Sequence, residues 1–435
     1  MNPIIALYNF FLLILSPVAI LLSVIPGCLD KKRILWGYRQ RLRAFPSVSA
    51  SSHSGGKRFW IHAASVGEVK IAKALASGIR RRFPASEIFL STFTDTGFRE
   101  AEKTPDLAGI SLAPLDLPFC VRPVLQRLKP HIFLPIEAEF WPNLYHETKK
   151  SGVPLVLVNG RISGKAFRNY RKFPFLFREV LGCLDAACMR SEIDADRIRA
   201  LGVPVEKVKI TGNIKFNAAL MEREELRRAP STPLFSSTHK VFILGNTRDG
   251  EEVLLIPAMK KLLEAPDTVF ILAPRHLRRI GEVADLLKKE GMPSVSWSTW
   301  EMEREKLTER VILLDRMGKL FPLYETCVAA FVGGSLLPFG GQNILEPAAF
   351  GKPVFFGPHM KNFEEEARIL RENGGGTQVA DAEELGARWL SLLQNPEEAE
   401  KMGAAAREGV VKGSDALERC LDEIENSIRH RGLRE

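Results

Sequence analysis

The chain has 435 residues, 45% hydrophobic and 26% charged, with a formal net charge of +9. That length exceeds the roughly 250–300 residues at which a single hydrophobic core stops growing, so two domains are expected, and the composition excludes a disordered chain. The positive charge suits an anionic membrane surface or nucleic acid, and its placement along the chain chooses between them.

The first element is an apolar run, Ile4–Ile25, interrupted only by Asn9, Ser16, Pro17 and Ser23. As a helix it is long enough to span about 30 Å of hydrocarbon. Lys31–Arg43 follows, with six basic residues, no acidic one, and Trp36 and Tyr38 among them. A basic cluster after a hydrophobic span keeps the following chain in the cytoplasm, near anionic headgroups. No Lys or Arg precedes the run, which argues against a cleaved secretory signal. An uncleaved membrane-anchor helix is therefore expected over residues 1–28, with its spanning or lying in the bilayer left open.

A Ser- and Gly-rich loop, Pro46–Lys57, leads into alternating apolar runs and amphipathic segments. Phe59–Ala64, Ile88–Thr92, Ile132–Glu137, Leu155–Asn159 and Val208–Thr211 read as buried parallel strands. Val66–Arg82 reads as a helix with Val69, Ala72, Leu75 and Ile79 on one face. Glu222–His239 is polar, carries Pro230 and Pro233, and reads as a linker. The pattern then restarts, with strands expected at Val241–Leu244, Val269–Ala273, Val311–Leu314, Val328–Val332 and Val354–Phe356, and a last helix at Asp415–His430. Such alternation in two blocks predicts two doubly wound α/β domains, 29–222 and 223–435, with ligands at the carboxyl ends of the strands.

Polar residues gather at those ends. In Trp60-Ile-His-Ala-Ala-Ser-Val-Gly-Glu68, the carboxylate lies in the first turn of the helix, where it either stabilises the helix start or serves as a general base. Pro135-Ile-Glu137-Ala-Glu139 closes an apolar strand, and one of the two carboxylates either faces the ligand cleft or caps the helix that Pro142 begins. Lys215, in Thr211-Gly-Asn-Ile-Lys215-Phe, can meet an anionic oxygen or simply be solvated. In the second block, Arg275 in Ala273-Pro-Arg-His276 can grip a phosphate with its fork of donors. Gly333-Gly-Ser335 reads as a phosphate cradle, and Asn343 and Glu346 share a helix face suited to ribose.

Other candidates carry less. Asp194-Ala-Asp196 mimics a metal-binding pair but lies in a helical stretch, and no His/Cys/Asp cluster has metal-ligand spacing. His62 and His131 read as packed residues. The six cysteines (28, 120, 183, 188, 327 and 420) form no CxxC pair and read as reduced core thiols.

Taken in order, HAASVGE, EAEFWPNL, VNGRIS, TGNIKF, PRH, FVGGS, GGQNILEP and FFGPHMKNF resemble the Kdo (3-deoxy-D-manno-octulosonic acid) transferases of Gram-negative bacteria. The resemblance implies a GT-B fold, with two Rossmann-like domains facing across a cleft: an acceptor-binding one (29–222) and a donor-binding one (223–435). It implies metal-independent, inverting transfer of Kdo from CMP-Kdo to a lipid A precursor (lipid IVA), in lipopolysaccharide biosynthesis, on the cytoplasmic side of the inner membrane. No cofactor and no nucleic acid are implied. Glu68 would be the proton acceptor, with Glu137 and Lys215 stabilising the transition state. Pro274, Arg275, Met317, Gly318, Lys319, Asn343, Ile344, Leu345 and Glu346 would bind CMP. Arg248, Lys319 and Gln342 depart from the family pattern, and Lys319 is expected to make the nucleotide site more cationic. A GT-B transferase with another nucleotide-sugar donor, or a non-catalytic membrane-tethered nucleotide-binding protein, stands as the alternative.

Overall fold

The computed structural model describes residues 3–24, 41, 42, 45, 56–228, 234–236, 238–303 and 308–432. The basic segment Lys31–Arg43 except Arg41 and Leu42, most of the loop Pro46–Lys57, Cys28 and part of the expected linker lie outside the described residues. Two compact units emerge: Met1–Ala218 with Ser414–Glu435, and Ala219–Gly413.

The first unit is built on seven parallel strands: β1 (Arg58–Ala63), β2 (Glu87–Thr92), β3 (Gly109–Leu112), β4 (Ile132–Pro135), β5 (Val156–Gly160), β6 (Ala186–Met189) and β7 (Val208–Ile210). They run β3-β2-β1-β4 and β5-β6-β7, and parallel bridges Phe133–Leu155 and Ile136–Val158 join the two sets. The order therefore reverses between β1 and β4, which is the switch point where doubly wound sheets bind ligands. All six residues of β1 are buried, as a strand covered on both faces must be. Trp60 packs on Phe133 at 4.5 Å, and both belong to the apolar core of this unit.

Helices α1 (Pro3–Val24), α2 (Val66–Arg82), α3 (Pro142–Lys150) and α4 (Pro174–Gly182) belong to this unit, and α5 (Lys215–Arg228) leads out of it. In α2 the expected face, Val69, Ala72, Leu75 and Ile79, is buried, and Arg80, Arg81 and Arg82 end the helix where its dipole favours cations. Among the described residues no helix is long and apolar enough to cross a membrane, so the expected anchor is not confirmed. In α1, Ile5 is buried, while Leu7, Phe10, Phe11, Leu13 and Ile14 are exposed.

In the second unit, all seven strands are again parallel: β8 (Lys240–Thr247), β9 (Thr268–Pro274), β10 (Ser294–Ser296), β11 (Val311–Leu313), β12 (Ala329–Val332), β13 (Val354–Phe356) and β14 (Gly376–Gln378). Their order, β10-β11-β9-β8-β12-β13-β14, places its own switch point between β8 and β12. Trp389 stacks on Phe242 of β8 at 4.7 Å and anchors the core on one face. Helices α6 (Glu251–Leu262) and α7 (Leu345–Ala349) follow strand ends, and α8 (Ala416–Gly432) closes the chain.

Several boundaries depart from expectation. Residues Glu222–Arg228 of the expected linker continue α5. The last helix groups with the first unit, where the expected span 223–435 places it in the second. Four strands went unforeseen. β3, β10 and β14 are short and edge-placed or near-polar, and β6 is built from small residues (Ala-Ala-Cys-Met), so none forms a bulky apolar run.

Candidate active site

At the switch point of the first unit, the loop after β1 turns into α2 at Ser65. Ser65 makes no ordinary side-chain cap. Instead Glu68 reaches back: its Oε2 accepts from Ala64 N at 2.7 Å and its Oε1 from Ser65 Oγ at 3.1 Å. The carboxylate is thus held against the strand end and is 9% exposed. Burial, opposed by the Ala64 bond and reinforced by the charges of Glu137 and Glu139, pushes its pKa up to about 8.

The second carboxylate comes from the loop after β4. Glu137 adopts φ +61°, a conformation costing about 1–2 kcal/mol in a residue with a Cβ, and its N–H donates to Val158 O at 3.0 Å. Its Oε1 lies 3.0 Å from Lys215 Nζ, at the first residue of α5. Two asparagines set that lysine's backbone: Asn159 Oδ1 accepts from Ile214 N at 2.9 Å, and Asn213 Oδ1 from Lys215 N at 3.1 Å. Asn159 and Asn213 therefore position the backbone that presents Lys215. Strain concentrated at strand exits is the mark of sites whose surroundings over-determine the backbone.

Glu139 does not cap α3, nor does Glu137. Trp141 is the N-cap residue, its Nε1 donates to Glu139 Oε2 at 2.9 Å, and the helix start is satisfied by Asp116, which the sequence did not single out. Asp116 lies two residues before Pro118, where a helix of its own begins, so nothing local connects it to α3. His62 is fully buried, as expected of a packed residue. Its Nδ1 sits 3.0 Å from Ser91 Oγ, its Nε2 is 4.0 Å from Glu139 Oε2, and burial lowers its pKa to about 4, which keeps it neutral. His131, expected to be packed, is exposed, although its Nδ1 accepts from Arg58 N at 3.0 Å. Asp194 accepts from Ile162 N, Ser191 Oγ and Arg190 Nε, and Asp196 pairs with Arg199 at 3.0 Å.

In the second unit the backbone of Arg275 and the side chains of Leu320 and Tyr324 lie at the carboxyl end of β8, while Met317 is 70% exposed. Gly245 has no room for a side chain: a Cβ there would lie 2.2 Å from Tyr324 Oη and 3.5 Å from Leu320 Cδ2. Leu320 follows Met317-Gly318-Lys319, and the charge of Glu346 helps burial to hold the Tyr324 hydroxyl well above its usual range. Pro274 ends β9, and Arg275, which is exposed, has its N–H donating to Thr247 O at 2.9 Å, at the end of β8. Asn343 Nδ2 donates to Glu346 Oε1 at 3.2 Å, so the two side chains meet, but not on one helix face as expected, because α7 begins at Leu345 and Asn343 lies in the loop before it; Ile344 and Leu345 are buried. Arg248 covers the Phe339 ring at 4.8 Å, with Nη1 3.2 Å from His276 Nε2.

One further expectation on this side is corrected. The Gly333-Gly-Ser335 turn is not an open phosphate cradle: Glu251 already fills it. Its carboxylate accepts from Gly334 N at 2.6 Å, from Ser335 N and Leu336 N at 2.9 Å, and from Arg248 N at 2.8 Å, and is completely buried. Lys319 Nζ stands 3.0 Å from Glu301 Oε1, and Arg316 Nη1 meets the same carboxylate at 3.3 Å, so two cations share one anion here.

Two parallel-sheet units, each with its polar residues at a switch point, make this an α/β chain structurally similar to the GT-B glycosyltransferases. A solved glycosyltransferase from Rickettsia africae matches it with a TM-score of 0.56 at 15% identity, over 86% of this chain and 98% of that one. A UDP-GlcNAc 2-epimerase from Neisseria meningitidis, bound to UDP-GlcNAc, matches with a TM-score of 0.58 at 13% identity, over 82% and 99%. These are likenesses of fold. The sequence model described as 3-deoxy-D-manno-octulosonic-acid transferase (kdotransferase) matches residues 37–218. A 3-deoxy-D-manno-octulosonic acid transferase from Haemophilus influenzae is 35% identical over 390 residues, 88% of this chain and 91% of the relative. The chain belongs to the Kdo transferase family and is a glycosyltransferase whose transferred group is Kdo.

Proposed function

We propose that this enzyme moves Kdo from CMP-Kdo to a sugar hydroxyl of a lipid A precursor, with inversion and without a metal, during lipopolysaccharide synthesis. The observation that carries the reading is the buried Glu68 carboxylate beside the Glu137–Lys215 pair at the switch point of the first unit. Glu68 takes the proton of the acceptor hydroxyl as that oxygen attacks the anomeric carbon of Kdo. The bond from that carbon to the CMP phosphate oxygen breaks, and CMP leaves with the electron pair. A raised pKa makes the ionised Glu68 a stronger proton acceptor than an ordinary carboxylate, and general-base catalysis of this kind contributes about 10²–10⁴ in rate. Glu137 favours positive charge developing on the ring, and Lys215 meets negative charge; Arg275 holds the nucleotide phosphate, and Glu346 with Asn343 faces the ribose.

The exposed apolar side chains of α1, Leu7, Phe10, Phe11, Leu13 and Ile14, support a lipid acceptor met at a membrane surface. Purified enzyme offered CMP-Kdo and a lipid A precursor should yield a product heavier by one or more Kdo residues in mass spectrometry. Transfer from UDP-sugars in place of CMP-Kdo would overturn the donor assignment.

A further inference from the structure

The segment carrying Glu137 and Glu139 is steadied from outside, and the chain of contacts ends on the N-terminal helix. Asp116 Oδ1 accepts from Leu144 N at 2.8 Å, and Oδ2 accepts from Asn143 N at 3.2 Å and from Tyr8 Oη at 2.9 Å. Asn143 is buried, and its Nδ2 donates to Asp116 O at 2.6 Å and to Asn9 Oδ1 at 2.7 Å. One carboxylate thus satisfies two open N–H groups at the start of α3 and a phenol 108 residues away in sequence. Capping alone needs only the first of these duties. Trp141, the N-cap itself, has no oxygen in its side chain with which to do it.

Between Glu137 and the first turn of α3 lie only Ala138, Glu139, Phe140 and Trp141. One side of that stretch is held by the body of the unit: Glu137 by Val158 O and Lys215, Phe140 by the rings of Tyr145 and Tyr170, and Trp141 by stacking on Phe93 at 5.2 Å; its other end runs directly into the first turn of α3. Displacing the first turn of α3 displaces Trp141, and with it the side chain holding Glu139, whose charge bears on Glu68. The α1 contacts are specific, since Tyr8 and Asn9 are the polar side chains of the helix's first three turns, close after the buried Ile5.

We infer that Asp116, Tyr8 and Asn9 form a positioning lock, which sets the Glu137–Trp141 segment in its working geometry only while α1 is seated. The N-terminal helix is then part of the catalytic unit and not only a tether. The kinetic arm of the test rests on the proposed Kdo transfer; the exchange arm does not.

The experiment uses the full chain and the variants Tyr8→Phe and Asn9→Ala, each of which removes a single contact. Hydrogen exchange should quicken at the amides of Glu137 and Asn143–Leu144 by about threefold to tenfold, as the loss of one hydrogen bond implies. Amides of β1, such as Trp60 and Ile61, should exchange at the wild-type rate. With CMP-Kdo and a lipid A precursor, kcat should fall by a similar factor at an unchanged KM for CMP-Kdo. Unchanged exchange at these amides, or equal acceleration in β1, would overturn the lock. Faster exchange with wild-type kcat would overturn its link to catalysis. Absence of Kdo transfer by the wild-type enzyme would count against the proposed function and leave the exchange result to decide the lock.

Discussion

Glu68 is half-fixed by its own helix and half-tuned by its neighbours. With its pKa raised to about 8, the base is largely protonated at neutral pH, so kcat/KM should climb with pH and level off above about 8. A flat profile from pH 6 to 9 would remove Glu68 from the base role. The same shift bears on stability. A carboxyl whose folded pKa is raised binds more protons folded than unfolded, so its contribution weakens as pH rises from about 4 to about 8. Glu68→Gln keeps an acceptor for Ala64 N and removes the buried charge. It should therefore abolish transfer yet melt at least about 2 °C higher at pH 8, read by calorimetry. Lys215→Ala should lower kcat by about 10²–10³, the usual loss on removing one transition-state partner, and Lys215→Arg should restore part of it. Equal losses for Arg and Ala would mean that charge at this position is not what matters.

Among the elements, the turn after β12 shows how far local sequence misleads. Gly333, Gly334 and Ser335 have the composition of an anion nest, and the nest is real, but the anion is internal. Glu251→Ala would leave the N–H groups of Arg248, Gly334, Ser335 and Leu336 without their acceptor, at about 1–3 kcal/mol for each one that water cannot reach. A loss of at least about 3 kcal/mol in denaturant unfolding is expected, and a smaller loss would show that water replaces the carboxylate. The strands tell a similar story. Bulky apolar runs such as Phe59–Ala63 and Val269–Ala273 announce themselves, because a parallel strand is covered on both sides. Gly109–Leu112 and Gly376–Gln378 do not, because edge strands need far less apolar surface.

At the scale of the whole molecule, the chain returns to its first unit. Leu417, Leu421, Ile424 and Ile428 of α8 are buried, worth about 1.5–3 kcal/mol each and on the order of 6–12 together as an upper limit. The fit against α2 is close: a Cβ on Gly78 would lie 2.9 Å from Leu421 Cδ1, and Arg82 pairs with Asp422 at 2.6 Å. Truncation after Gly413 should therefore lower the melting transition of the first unit, although nearly two hundred residues separate that cut from the rest of the unit. Gly78→Val should do so to a lesser degree. Calorimetry showing both variants melting like wild type would refute that docking.

What the residues alone determine is what repeats locally: strand–helix alternation gives two α/β blocks, and turn residues put Glu68, Glu137, Lys215, Arg275 and Glu346 at strand ends. Which charges are free and which are already spent depends on partners far away in the chain. Only the tertiary structure decides that Glu251 fills the glycine turn, that Asp116 and not Glu139 starts α3, and that the last helix belongs with the first unit. The reason is physical. Helix and strand periodicity is written within a dozen residues, whereas an ion pair, a cap or a packed helix face is a contact that folding alone brings together.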